Sequence, residues 1–152
     1  LYKLNIISNG SPGKALMIYN NNGLEIYDHL INIFLKITNI DLDIVDILLK
    51  NIISKKNVFG IKILNLLITV FLNRTYRRSL SLIDLDISAN EKNAQEYLIN
   101  NFNIADLPTL WENIFMQINK TTDFNLDKKQ AIITLIENIK KLKIKENILD
   151  KV

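Results

Sequence analysis

From Val58 to about Leu80 the polar residues Lys62, Asn65, Thr69 and Asn73 recur at spacings of 3, 4 and 4, with apolar positions filling the other faces. That period is helical. A helix with one narrow polar stripe has to be enclosed by neighbours, which predicts a central place in a helical bundle. Upstream, Ile26, Leu30, Ile33 and Ile37 make a second stripe, on a helix whose Glu25 and Asp28 suit its positive N-terminus. Ile44, Ile47, Leu48 and Ile52 make a third, capped by Asn39 or Asp41 and interrupted by Lys55-Lys56-Asn57. Downstream, Ser81 to Asn90 reads as a loop and Glu91 to Asn100 as a helix. Asn103 or Asp106 starts the next helix, which accepts Pro108 in its first turn and turns Leu107, Leu110, Trp111, Ile114, Phe115 and Ile118 inward. In the last helix Asn125 is the expected cap, Ile132, Leu135, Ile136, Ile139 and Leu142 face the core, Asp127 sits at the positive end and Lys140, Lys141 and Lys143 at the negative one.

The N-terminal stretch divides into two short helices. The first is expected to end near Ser8, where Asn9-Gly10 permits the left-handed conformation that closes many helices. Ser11 then caps a second helix with Pro12 at its first position, running to about Tyr19. Asn20-Asn21-Asn22-Gly23 is turn-prone and marks the expected boundary between a small element, 1–22, and the main helical domain, 23–152. With two prolines and four glycines there are few breaks, and the fold class expected is all-α.

Composition narrows the function classes. The 152 residues are 48% hydrophobic, enough for one core with a small appendage. There is no cysteine, so disulfides and thiolate metal sites are excluded and a reducing, cytoplasmic setting is the simpler expectation. The chain begins Leu1-Tyr2-Lys3 and reads as a fragment. Its longest apolar run, Gly60 to Leu72, is 13 residues and contains Lys62 and Asn65, too short for a bilayer. The net charge of +3 draws on 16 lysines and 3 arginines, with acidic residues interspersed; alongside 27 Ile and 21 Asn, this looks like AT-rich coding, so lysine abundance says little about partners.

Candidate chemistry is sparse. Gly10-Ser11-Pro12-Gly13-Lys14-Ala15 imitates a phosphate-binding loop but has Ser8 in place of the first glycine, Ala15 in place of the hydroxyl residue and a helix before it, so a corner between helices is the better reading. His29 is the single histidine and builds neither a zinc site nor a triad. Asp41, Asp43 and Asp46, and Asp84 with Asp86, supply too few oxygens for a hard cation. No catalytic residue and no metal ligand is named. Arg74, Arg77 and Arg78, all the arginines of the chain, lie within five residues beside Tyr76. In a lysine-biased chain, retained arginine points to planar, bidentate contacts with carboxylate or phosphate. Basic residues also suit a helix C-terminus, so dipole compensation, an ion pair within or between subunits, and nucleic-acid contact all stay open.

Two segments more than 100 residues apart carry a resemblance. Ser8-Asn9-Gly10-Ser11-Pro12-Gly13-Lys14-Ala15-Leu16 resembles the G-S-x-x-x-A-L corner in the lid of clamp-loader ATPase-like subunits, and Leu110-Trp111-Glu112 with Asn125-Leu126-Asp127-Lys128-Lys129-Gln130 resembles the L-W-E … N-L-D-R-K-Q pattern of bacterial DNA polymerase III delta-prime subunits. The resemblance implies that 1–22 is the end of an AAA+ lid and 23–152 a helical collar. Motor subunits carry a nucleotide-sensing arginine at the fourth position of the corner. Here that position is Gly13, so the corner Gly10, Ser11, Pro12 and Gly13 is degenerate, and a subunit without ATPase action or cofactor is implied. Lys128 stands where the family often has arginine. The implied partners are the motor and delta subunits of a hetero-pentamer, with primer-template DNA met only through the complex and no membrane. The interface candidates are Arg74, Arg77, Arg78, Trp111, Lys128 and Lys129. The rival expectation is a small nucleic-acid-binding module using Lys55, Lys56, Arg74, Arg77 and Arg78. An enzyme is not expected, because no nucleophile, base and orienting group can be named together.

Overall fold

The computed structural model describes residues 1–39, 42–53, 60–83, 85–118 and 124–142. Among these the chain is all-α, without a strand: α1 Tyr2–Ser8, α2 Pro12–Asn20, α3 Gly23–Leu35, α4 Leu42–Ile53, α5 Gly60–Ser79, α6 Ala89–Asn101, α7 Leu107–Ile118 and α8 Phe124–Lys141. None is long and apolar enough to cross a membrane.

The helix with the narrow polar stripe is α5, and it packs against α3, α4, α6 and α7. Ile63, Leu64, Leu67, Ile68, Phe71 and Leu72 are all buried, which covers more than one face of the helix and requires neighbours on several sides. Phe71 stacks on Phe34 of α3 at 4.5 Å and meets the edge of Tyr27 at 6.3 Å. Thr75 hides its hydroxyl in the same helix by donating to the Phe71 carbonyl at 2.8 Å. On the far side, α8 closes over α7 and α4 with Ala131, Ile132, Leu135, Ile136 and Ile139 buried.

Two expectations about register are corrected. Among the described side chains of α4, Val45 and Leu48 are buried and Ile44 packs partly buried against the core, whereas Ile47 is 48% exposed, so the stripe of Ile44, Ile47, Leu48 and Ile52 is corrected at Ile47, with Val45 facing inward instead. Helix α6 begins at Ala89 rather than Glu91, because the Ser88 hydroxyl accepts from the Glu91 N–H at 3.1 Å and caps it. Asn125, expected as a cap, lies inside α8. Asp41, Lys55, Lys56, Asn57, Asp84 and Lys143 lie outside the described residues, as do the side chains of Ile52, Ile118, Asp127, Lys128 and Lys129.

The N-terminal corner follows the sequence closely. Asn9 takes the left-handed conformation at φ 52, and the Gly10 N–H returns to the Asn5 carbonyl at 3.2 Å while the Asn9 N–H reaches Ile6 O, the hydrogen-bond pair that closes a helix C-terminus. Ser11 accepts from the Lys14 N–H at 3.4 Å, with Pro12 opening α2. At the next turn Asn22 is again left-handed, and Gly23 starts α3 where a Cβ would stand 2.5 Å from Ile18 Cγ2 and 2.9 Å from Ile18 O. Ile7 and Ile18 are buried in the same apolar cluster as the α3 residues.

Candidate functional site

The arginines of the α5 C-terminus organise the chain's main polar feature. Arg74 and Arg78 are one helical turn apart and face α6, where Glu91 and Gln95 are likewise one turn apart. Arg74 Nε donates to Glu91 Oε2 at 3.0 Å and Nη2 donates to Oε1 at 2.8 Å, a two-pronged pair. The same Nη2 donates to the Leu85 carbonyl at 2.9 Å. Glu91, fully buried, also accepts the Tyr27 hydroxyl at 2.5 Å and the Ile87 N–H at 3.4 Å. One rung along, Arg78 Nε donates to Gln95 Oε1 at 2.6 Å and its Nη2 pairs with Asp86.

Burial, and then the Glu91 carboxylate beside it, hold the Tyr27 phenol well above its ordinary range. Burial works against the charge on Arg74, but the hydrogen bonds and charge of Glu91 outweigh it and raise the guanidinium further. The network is therefore a neutral phenol, a carboxylate and a permanent cation, each partnered. Its effect is to staple residues 85–87, which lead into α6, onto α5 and α6. Ser81, left-handed at φ 58, begins that connection, with the Leu82 N–H returning to Arg77 O at 2.9 Å.

Arg77 points elsewhere and is exposed. It lines a cleft of about 760 Å³ between the α1–α2 corner, α5 and the 80–88 connection, together with Lys14, Asn73 and Tyr76. A second cleft, of about 480 Å³, lies between α5 and α7 and is lined by Trp111, Phe115 and Met116. Thr69 and Asn73, from the polar stripe of α5, border both. Trp111 is buried, and its Nε1–H donates to Asn65 Oδ1 at 2.9 Å, so the stripe residue Asn65 has an internal partner.

The remaining sequence candidates separate. Of the corner residues, Gly10 lies in the turn between α1 and α2, Ser11 caps α2, and Pro12 and Gly13 form its first turn, with open space around both glycines where a side chain would stand. His29 is a surface neighbour of Glu25 at 3.8 Å. Asp86 answers Arg78, and Asp43 and Asp46 lie on α4, far along the chain from either cleft. No group of three or more His, Asp or Glu side chains that could hold a metal ion occurs among the described residues. Glu91 and Tyr27 are the important residues the sequence reading passed over. The signal for Glu91 was present as Ser88-Ala89-Asn90-Glu91, the serine-to-glutamate spacing of a capping box.

No protein-family model, curated protein or solved structure matches the chain.

Proposed function

We propose that the chain is the lid end and helical collar of a clamp-loader delta-prime subunit, an assembly module that acts by holding neighbouring subunits rather than by bond-making. The observation that carries this reading is the ordered pair of segments, Ser8 to Leu16 and Leu110 to Gln130, on an all-α chain. Two features support it. The first segment is a helix-to-helix corner with Ser11 as cap, the local geometry that such a lid corner calls for. Large apolar side chains also stand exposed, among them Leu16, Tyr19, Tyr76, Leu80, Leu82, Leu85 and Met116, surface that a neighbouring subunit would cover.

The rival, nucleic-acid binding through the arginine cluster, loses most of its support. Arg74 and Arg78 are committed to Glu91, Gln95 and Asp86, which leaves Arg77 as the arginine open to a phosphate. Size-exclusion of the chain mixed with clamp-loader motor and delta subunits tests the proposal. Co-elution is expected, and retention on duplex DNA is expected to stay weak at physiological salt. Separate elution combined with salt-sensitive DNA binding reverses the choice.

A further inference from the structure

The cleft between the α1–α2 corner, α5 and the 80–88 connection has a composition that specifies its occupant. Its apolar side is formed by Ile6, Leu66, Val70, Leu82 and Leu85, and Leu82 and Leu85 are each more than half exposed. Its charged side carries Lys14 and Arg77, both exposed and neither in an ion pair among the described residues, and no carboxylate lines it there. The third cation at its edge, Arg74, is already neutralised by Glu91. Asn5, Asn9 and Asn73 add amides that can donate and accept.

We propose that this cleft is a docking site for a short peptide segment of a partner protein that presents aliphatic side chains next to a carboxylate. The aliphatic groups cover Leu82 and Leu85, the carboxylate meets the Arg77 fork with Lys14 beside it, and the asparagines satisfy the peptide backbone. A nucleic acid fits less well. Two cations neutralise few phosphates, and Tyr76 is the one aromatic ring among the described lining residues on which a base can stack. The inference needs only the cleft and is independent of which assembly the chain belongs to.

The test is a fluorescence-anisotropy titration of the folded chain with three labelled decapeptides of one design. The first has two leucines flanked by aspartates, the second replaces the aspartates by lysines, and the third replaces the leucines by serines. Saturable binding of the first alone is expected. The double variant Lys14→Glu with Arg77→Glu is expected to weaken it about tenfold or more, and Leu82→Ser to weaken it by a smaller factor. All three changes are at exposed positions, so unchanged circular dichroism melts show that folding is intact. Amide shifts in a heteronuclear NMR spectrum should cluster at Asn73, Arg77, Leu82 and Leu85. No saturable binding, equal binding of the lysine or serine peptide, displacement of the first peptide by a single-stranded oligonucleotide of equal charge, or shifts centred on α8 would each overturn the proposal. Co-elution with clamp-loader subunits is read separately, so either idea can fail without the other.

Discussion

Glu91→Gln isolates the charge at the centre of the polar network, since it keeps the volume and the helical position. In the native chain the carboxylate, 0% exposed, accepts from Arg74 twice, from Tyr27 and from Ile87. The amide has one acceptor oxygen in place of two and brings two donors of its own, one of which faces the guanidinium fork. Arg74, whose side chain is 12% exposed, then stays largely buried without a counter-charge. Removing one member of a buried pair costs about 3–5 kcal/mol. Because the glutamine still accepts one bond, the lower end applies, about 3 kcal/mol. For a chain of this length that is a fall in Tm of about 6–12 °C.

The assay is urea and thermal unfolding followed by far-UV circular dichroism, extended to a cycle with Arg74→Met. The double variant should lose far less than the sum of the singles, with a coupling above about 1 kcal/mol. Adding Tyr27→Phe, which removes the phenol left without its acceptor, should recover more, because an apolar replacement of a whole buried ionic cluster is often neutral. A cost below about 1 kcal/mol for Glu91→Gln, or additive singles, refutes the reasoning, since either outcome means that the pair is solvated in solution.

The same packing sets four further outcomes. The raised Tyr27 phenol keeps its proton in the folded state when the unfolded chain has lost it, so stability should be insensitive to this group below its ordinary value of 10.0 and fall above it by up to about 1.4 kcal/mol per pH unit; comparing Tyr27→Phe with wild type in urea melts across that range checks the sign. Gly23→Ala should destabilise by about 1–3 kcal/mol despite alanine's better helix propensity, because the new Cβ meets Ile18 Cγ2 at 2.5 Å and Ile18 O at 2.9 Å; a higher Tm for the alanine variant would contradict the packing of α2 on α3. Trp111→Phe removes the Nε1–H donor to Asn65 and should cost about 1–3 kcal/mol, with Asn65→Leu in the same background returning part of it. Arg74→Lys should cost about 1–3 kcal/mol, because an ammonium cannot serve both Glu91 oxygens and Leu85 O in one plane, whereas Arg77→Lys should leave the melt unchanged within about 0.5 kcal/mol.

What the sequence disclosed depended on whether the deciding interactions were local. The α1–α2 corner was legible because Asn9, Ser11 and Pro12 act within four residues of themselves. The central position of α5 was legible because four polar residues in one line leave no other way to hide its remaining faces. The face of α4 was not. Leu42, Ile44, Val45, Ile47 and Leu48 are apolar on nearly every side, so a wheel that sets Ile47 beside Ile44 and Leu48 is as good as one that sets Val45 there until α3 and α8 supply the neighbours. The site divided in the same way. A bidentate ion pair was one of three readings that the scarcity of arginine among lysines left open, and the fold selects it for Arg74, whose partner Glu91 is 17 residues away and whose neighbour Tyr27 lies two helices back on α3. Reading Ser81 to Asn90 as an unbroken loop hid the capping serine, and with it the fact that Glu91 enters a helix at the position from which it reaches inward.

The buried network and the open cleft are two sides of one construction. Residues 80–88 contain Leu82 and Leu85, the apolar wall of the cleft, yet lie between helices and have little core of their own beyond Ile87. A connection of that length holds one conformation only if its backbone groups are tied down, since each ordered residue costs about 1–2 kcal/mol in chain entropy. Arg74 holds the Leu85 carbonyl, Arg78 holds the Asp86 side chain, Glu91 accepts the Ile87 N–H, and Tyr2 of α1 donates to the Asp86 carbonyl at 3.4 Å. The two arginines withdrawn from the surface thus preorganise the wall against which the third presents its charge, and preorganisation is what lets a shallow cleft bind a flexible peptide at all. A substitution at Glu91, which touches no residue of a docked peptide, should therefore reduce peptide affinity even at temperatures where the helices remain folded.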